Sequence, residues 1–133
     1  LDRVEELIAI KRRIRDSYLN ELNSINIKMT TITDKENFQN GCWAMTLVIN
    51  NEKFLKDEAI KFFASKDIPL RPFFNPLTSM PAYKKYKSLN PDHINKNADY
   101  ISQRGITLAS HFLTSDEQIK LISSTLQDFL KRL

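Results

Sequence analysis

The sequence predicts an α+β domain in which helices pack on a small, mainly antiparallel sheet. Three observations favour this class: segments with helical spacing at both ends of the chain, a central segment with two-residue alternation, and short extended stretches between helices. The length of 133 residues fits one domain around one hydrophobic core. We therefore expect helices and strands to alternate within a single folding unit.

The first 22 residues are predicted to form one amphipathic helix, because their apolar side chains recur every three or four positions. Those side chains are Val4, Leu7, Ile8, Ile14, Tyr18 and Leu22. The basic run Lys11–Arg13 lies within this helix, and we interpret it as a solvent-exposed face. Residues 23–41 are mixed in character and predict irregular structure with one short strand.

A strand is predicted over residues 43–49, where larger apolar residues alternate with smaller ones. The larger residues are Trp43, Met45, Leu47 and Ile49. A helix should follow from Glu52 to Lys66, with one apolar face made of Leu55, Ala59, Phe62 and Phe63. Asp67 then stands where a helix end favours left-handed backbone, which Asp tolerates better than most residues.

Residues 68–74 are expected to be extended, because Pro69 and Pro72 keep the residue before each of them out of the helical region. Two prolines also favour an edge strand or an unpaired stretch. An irregular loop should follow as far as Pro81. Further helices are predicted over residues 82–87 and 93–104, and Gly105 is expected to end the second of them.

The last part of the chain predicts a short strand and a long helix. Residues 106–108 form the strand, since they are mostly β-branched or apolar. Thr114 and Glu117 have the spacing of a capping box, in which a hydroxyl and a carboxylate satisfy free amides at a helix start. Apolar residues at helical spacing then continue to Leu133.

Composition and charge argue against a membrane or nucleic-acid partner. The formal net charge is +4, and the excess over residues 82–105 is too modest for a nucleic-acid-binding surface. No apolar run approaches the ~20 residues of a membrane span. Cys42 is the only cysteine, so no disulfide can form within the chain, and we expect a reducing, cytoplasmic setting.

Several kinds of catalytic or metal site lack their sequence patterns. Gly41 and Gly105 are the only glycines, which leaves no glycine-rich phosphate loop. His93 and His111 lack metal-ligand spacing to each other or to Cys42, so no metal site is predicted.

The chain also begins at Leu1 inside an amphipathic pattern, without an initiator Met or a capping residue. We therefore expect it to be a fragment of a longer protein.

Two stretches carry a resemblance to a known family. Residues 56–86 read KDEAIKFFASKDIPLRPFFNPLTSMPAYKKY, and residues 97–119 read NADYISQRGITLASHFLTSDEQI. In order and spacing they resemble the C-terminal domain of the DegT/DnrJ/EryC1/StrS aminotransferases, a family that includes perosamine synthases. The family's Arg-Pro, aromatic and Pro-Leu-His elements correspond to Arg71, Pro72, Phe74, Pro76 and Leu77. Its Ser-x-Arg-Gly and Leu-Pro-Ser elements correspond to Ser102, Arg104, Gly105, Leu108, Ala109 and Ser110.

The resemblance implies the small domain of a fold-type I aminotransferase. Residues 1–22 would be the helix between the large and small domains, and residues 23–133 the small C-terminal domain. The parent enzyme would use pyridoxal phosphate (PLP) to aminate a nucleotide-linked 4-keto-6-deoxy sugar, with glutamate as amino donor, and would be a homodimer. The family holds PLP and its lysine in the large domain, so we expect no catalytic or cofactor-binding residue here and no activity from this chain alone.

The resemblance also implies a substrate-binding loop, with Arg71, Phe74, Asn75 and Thr78 as its candidate residues. Such a loop should be stiff and carry polar and aromatic groups toward the substrate. Thr78 stands where the family usually has His, a residue that faces the sugar, and Ala109 replaces a Pro.

Three alternatives remain open at this point, and a basic nucleic-acid-binding domain is the weakest of them. The loop could pack only against its own domain, with Arg71 paired to Asp67 or Asp57. The chain could also be a stand-alone α+β module that binds a ligand or a protein and carries no catalysis.

Overall fold

A computed structural model of the chain describes residues 2–25, 28–83 and 95–133, and it confirms the α+β class. The helices of this part are α1 (Val4–Leu22), α2 (Lys56–Ala64), α3 (Lys96–Arg104) and α4 (Asp116–Leu130). Its strands are β1 (Met29–Thr30), β2 (Met45–Ile49), β3 (Arg71–Pro72) and β4 (Gly105–Leu108). They form an antiparallel sheet in the order β1-β2-β4-β3, so the proline-bearing strand lies at an edge as predicted.

The core lies on one face of this sheet, against α1, α2 and α4. Burial alternates along β2: Met45, Leu47 and Ile49 are buried, whereas Thr46 and Val48 are only half-buried. The helices contribute a continuous set of apolar side chains: Ile14, Tyr18, Leu22, Ala59, Phe63, Ile119, Ile122, Leu126, Phe129 and Leu130. The opposite face of the sheet meets α3 and the chain that follows β3.

Helix α1 is fixed to the strand ends by polar contacts. Lys11 Nζ donates to the backbone carbonyls of Trp43, at 2.9 Å, and of Ser110. Tyr18 Oη donates to the Ala109 carbonyl at 2.6 Å, and burial raises the pKa of this phenol. The interpretation of the basic run as a solvent-exposed face is therefore wrong for Lys11, because the ends of β2 and β4 offer carbonyls to it.

The other basic residues of that run also have partners. Arg13 Nη1 lies 2.7 Å from Asp116 Oδ1, at the start of α4. Arg12 Nη2 donates to Gln39 Oε1 at 3.1 Å. Arg13 and Asp116 are largely exposed, so their ion pair contributes little to stability, whereas the contact of Lys11 with the Ser110 carbonyl is partly buried.

Two predicted element starts were wrong by a few residues, and one predicted helix end was right. Helix α2 begins at Lys56 because Asn51 accepts from the Phe54 amide at 3.2 Å and forms a turn, which leaves Leu55 55% exposed. Strand β2 begins at Met45, so Trp43 lies outside the alternating run and is 76% exposed. Asp67 has a φ of 57°, which confirms the left-handed position after α2.

The helix caps near the C-terminus also differ from prediction. The capping box is formed by Ser115 and Gln118, one residue later than expected, because Thr114 is buried and its amide donates to the His111 carbonyl. Gly105 follows α3 directly but is extended, with φ −84° and ψ 131°, so no left-handed turn ends that helix.

Part of the predicted helical structure lies outside the described residues. Residues 84–87 of the helix expected over 82–87 belong to that part, and Pro81–Tyr83 forms a short 3₁₀ turn. Helix α3 begins at Lys96, and residues 93 and 94 of its predicted range are likewise undescribed. No helix within the described ranges is long and apolar enough to cross a lipid bilayer.

Replacing Lys11 with Met should destabilise the protein by about 1.5–3 kcal/mol, because two backbone carbonyls would lose a charged donor. Methionine keeps the apolar stem of the lysine, so packing changes little. Lys61→Met is the matched control, since Lys61 is an exposed residue of α2. The free energy of unfolding in urea measures both, and an equal, small change in the two variants would contradict the role given to Lys11.

Candidate functional site

A pocket of about 360 Å³ lies between the outer face of the sheet, α3 and the chain after β3. We call it the sheet pocket. Its walls are mostly apolar and are made by Trp43, Thr46, Arg71, Pro72, Phe73, Phe74, Pro76, Ala98, Ile101, Ser102 and Thr107. Thr46 and Thr107 are directly opposed across β2 and β4, so they form the floor of the pocket on the sheet.

The segment Arg71–Met80 forms one side of the sheet pocket, and we call it the covering segment. Its first part pairs with β4, where Arg71 lies opposite Thr107 and the Phe73 amide donates to the Gly105 carbonyl at 3.1 Å. Its second part is a tight 3₁₀ turn over Leu77–Ser79. In that turn the Ser79 amide and hydroxyl both donate to the Pro76 carbonyl, at 2.9 and 2.7 Å. The segment is therefore irregular but stiff.

Arg71 and Phe74 are brought together at the pocket. The guanidinium carbon of Arg71 lies 5.5 Å from the centre of the Phe74 ring, a cation–π distance. Phe74 is 81% exposed and Arg71 is also exposed. No carboxylate in the described ranges forms an ion pair with Arg71, so neither Asp57 nor Asp67 takes its charge. Within the described part of the chain, no carboxylate therefore competes with a ligand for the donors of Arg71.

Trp43 and Phe74 are exposed aromatic residues at the edge of the sheet pocket, and we call them the aromatic rim. The carbonyl of Trp43 is held by Lys11, while the preceding Cys42 is buried with a φ of 52°. The Cys42 amide donates to Asn40 Oδ1 at 2.9 Å, and its sulfur lies 3.3 Å from Arg15 Nη1. The backbone before Trp43 is thus fixed by contacts to α1 and to the loop before it, and the indole ring is presented to solvent beside the pocket.

The loop that leads to Trp43 is fixed in turn by Asp34. The carboxylate accepts from the backbone amide of Asn40 at 2.7 Å and from Arg15 Nη1 at 3.2 Å. The amide contact is the main cause that lowers the pKa of Asp34, and Arg15 lowers it further. The charged form of Asp34 is therefore the one that holds the loop.

The four residues proposed from the sequence do not all line the pocket. Arg71 and Phe74 do, whereas Asn75 is exposed and Thr78 is half-buried within the 3₁₀ turn, outside the lining. Sequence reasoning missed Trp43, which it placed in the strand. It also missed the two threonines of the floor, although Thr46 marks the second face of β2 in the alternating pattern.

The sheet pocket does not fit a PLP site, which needs a lysine, an acid for the pyridine nitrogen and a phosphate cup. The sheet pocket is lined by neither a lysine nor a carboxylate. Lys11 and Lys56 are partly buried, but both ammonium groups donate to backbone carbonyls, Lys56 to Ser102 at 2.7 Å. Within the described ranges, no cluster of three or more His, Cys, Asp or Glu could hold a metal ion.

Comparison with known proteins identifies relatives along nearly the whole chain. Residues 1–127 match the DegT/DnrJ/EryC1/StrS aminotransferase family. The GDP-perosamine synthase of Vibrio cholerae is 26% identical over 130 residues, which are 97% of this chain and 34% of that protein. The chain therefore spans about a third of the length of this relative.

Solved structures share the fold. Spr1654 of Streptococcus pneumoniae, in its apo form, superposes with a TM-score of 0.83 at 21% identity, covering 99% of this chain and 33% of that one. DesI in the presence of its TDP-sugar product superposes with a TM-score of 0.84 at 15% identity, with the same coverage of 99% and 33%.

The exposed apolar side chains of the covering segment should make the chain self-associate. Phe74, Leu77 and Met80 are 81%, 68% and 44% exposed and lie in one short segment. We expect Phe74→Ser to weaken self-association about tenfold, because one large apolar side chain no longer becomes buried between copies. Sedimentation velocity over a concentration series measures this.

Phe112→Ser is the control for this prediction, because Phe112 is a 44% exposed phenylalanine that does not line the sheet pocket. It should leave self-association unchanged. A wild-type chain that stays monomeric at high concentration, or equal effects of the two variants, would contradict the prediction.

Proposed function

The chain belongs to the DegT/DnrJ/EryC1/StrS aminotransferase family, and from this premise we propose that it is the C-terminal small domain of a PLP-dependent aminotransferase. The substrate proposed is a nucleotide-linked 4-keto-6-deoxy sugar, as in the perosamine synthases. This chain contributes the covering segment over the substrate, and the PLP lysine belongs to a large domain outside it. Glutamate as amino donor, a homodimeric parent and a cytoplasmic location complete the proposal.

The observation that carries this proposal is the placement of Arg71 and Phe74 on a stiff segment at the rim of the sheet pocket. A guanidinium binds a phosphate or carboxylate through parallel hydrogen bonds, and a nucleotide-linked sugar offers a diphosphate. Exposed aromatic rings such as Phe74 and Trp43 can pack on the apolar face of a sugar or on a base and exclude water.

Stiffness of the covering segment matters because binding costs conformational entropy. The prolines and the 3₁₀ turn hold the segment before any ligand arrives, so less entropy is lost when it contacts substrate. Binding energy from such remote contacts can orient the reacting carbon within the parent enzyme. The chemistry that PLP supplies is stabilisation of negative charge next to the transferred nitrogen, and it takes place outside this chain.

The division of roles predicts where PLP binds. This chain alone should retain no PLP after gel filtration and should transfer no amino group, because the sheet pocket is lined by neither a lysine nor a carboxylate. The intact protein, with the sequence encoded before Leu1, should retain PLP and should transfer an amino group. Visible absorption, borohydride reduction with peptide mapping, and amino transfer from glutamate to GDP- and TDP-linked 4-keto-6-deoxy sugars measure this. A lysine of this chain labelled by borohydride would contradict it, and an intact protein without PLP would favour a stand-alone binding module.

Arg71→Lys in the intact enzyme should lower kcat/KM about ten- to a hundredfold, since lysine cannot reproduce two parallel hydrogen bonds. This loss corresponds to about 1.5–3 kcal/mol for one charged contact. The melting temperature should not change, because within the described ranges Arg71 pairs with no carboxylate.

Arg132→Lys is the matched control, because Arg132 is also exposed and lies 4.3 Å from the centre of the Phe62 ring, but it does not line the sheet pocket. It should leave kcat/KM unchanged. Unchanged kinetics for Arg71→Lys, or a melting temperature that falls together with activity, would show that Arg71 has a structural role only.

A further inference from the structure

Gly105 stands at the junction of α3 and β4, and its backbone does not require glycine. With φ −84° and ψ 131° it adopts an extended conformation that any residue can adopt. Space is what excludes other residues. A Cβ atom at this position would lie 2.3 Å from both Cγ and Cδ2 of Phe73, and 2.7 Å from the Ile101 carbonyl oxygen. The Phe73 ring therefore rests directly on the glycine.

The Phe73 ring cannot avoid such a Cβ by a small adjustment. Cγ is the first atom of the ring and is bonded to the side chain's own Cβ, so rotation of the ring about its axis leaves the close contact in place. Relief requires a different rotamer about the Cα–Cβ bond or a shift of the backbone. Either change removes the ring from its seat on β4.

The glycine side of the contact is also fixed. The last turn of α3 is tied to α2, because Lys56 Nζ donates to the Ser102 carbonyl at 2.7 Å. Ser102 itself is 5% exposed. On its other side Gly105 pairs with Val48 of β2. A side chain at position 105 would therefore displace Phe73, and it would also require a smaller shift of the Ile101 carbonyl, which lies 2.7 Å from the same Cβ atom.

The covering segment has few other contacts to the sheet. Strand β3 consists of two residues at the sheet edge, and one of them, Pro72, has no amide hydrogen to donate. The Phe73 amide donates to the Gly105 carbonyl at 3.1 Å, so backbone and ring of Phe73 meet the same residue. Arg71 and Phe74 lie on either side of this anchor in the chain.

From these contacts we infer that Gly105 is a positioning residue for the covering segment. By leaving space for the Phe73 ring, it holds Arg71 and Phe74 at the rim of the sheet pocket. The inference rests on the proposed function, in which this segment faces the nucleotide-linked sugar. Gly105 itself touches no substrate and acts through Phe73.

The test compares the two glycines of the chain in the intact protein. Gly105→Ala should increase hydrogen–deuterium exchange in the peptide spanning residues 69–76, with no change in the peptide that contains β2. It should lower kcat/KM for GDP- or TDP-linked 4-keto-6-deoxy sugars about ten- to a hundredfold, a loss typical of misplaced binding groups, with unchanged PLP content. Gly41→Ala is the matched control, because a Cβ atom at Gly41 would meet nothing within 4 Å.

A double variant separates the ring from other effects of the added methyl group. In a Phe73→Ala background, Gly105→Ala should cause a smaller further loss of kcat/KM than it does in the wild type, since the clashing ring is gone. Phe73→Ala alone keeps Gly105 and should raise the same local exchange, so it tests the contact even if Gly105→Ala fails to fold.

The outcomes distinguish this inference from the proposed function. Unchanged exchange over residues 69–76 in both Gly105→Ala and Phe73→Ala, with Arg71→Lys still impaired, would overturn the inference and leave the proposed function standing. A second outcome would overturn both the inference and the proposed function. In it, exchange over residues 69–76 rises in Gly105→Ala and Phe73→Ala, while kcat/KM is unchanged in these two variants and in Arg71→Lys. The segment would then be displaced without effect on the substrate. A purely structural role predicts a lower melting temperature and raised hydrogen–deuterium exchange throughout the sheet. That result would also overturn the inference.

Discussion

The pairing of β2 with β4 is the constraint on which the rest of the structure depends. Met45 lies opposite Leu108 and Leu47 opposite Ile106, so the apolar side chains of both strands share the core face. A shift by one residue would turn Thr46 toward the core and expose the apolar set, which is why the register is strongly specified. The same register places Thr46 and Thr107 together as the floor of the sheet pocket. Core and pocket are thus two faces of one strand pair.

Helix α1 connects these two faces. Its apolar side packs on the core, while Lys11 and Tyr18 bind carbonyls at the ends of β2 and β4. Lys11 donates a hydrogen bond to the carbonyl of Trp43, whose indole forms part of the pocket rim. The helix that resembles an interdomain connection therefore also determines the position of one pocket wall. Local stability of α1 and the geometry of the rim cannot vary independently.

Much of the fold could be predicted from the sequence, because short-range patterns determine it. Alternation located β2, two prolines located the edge strand, and Asp67 was correctly placed in left-handed backbone. The partners of Lys11 could not be predicted, since they lie 32 and 99 residues away in the chain. The capping box was misplaced by one residue because Thr114 and Ser115 are adjacent, and only burial of Thr114 decides between them.

The candidate site could be predicted only in part, for a related reason. Arg71 and Phe74 were identified by resemblance and do line the pocket, but Asn75 and Thr78 belong to the far part of the segment, where the 3₁₀ turn carries them away from the lining. Trp43 was assigned to the strand because it continues the alternation of Met45, Leu47 and Ile49, but the strand begins at Met45, and Trp43 follows Cys42, whose φ is 52°. Left-handed backbone at a non-glycine residue costs about 1 kcal/mol. Cys42 and Asp67 both adopt it, while Gly41 and Gly105 do not. Since Cys42 precedes Trp43 and Asp67 leads into the stretch that carries Arg71, this cost falls at the entrance to each pocket wall, and the glycine at position 105 is used for close packing instead. Surrounding contacts must hold both strained residues in place, which argues that the two walls are positioned by the whole fold rather than by their own loops.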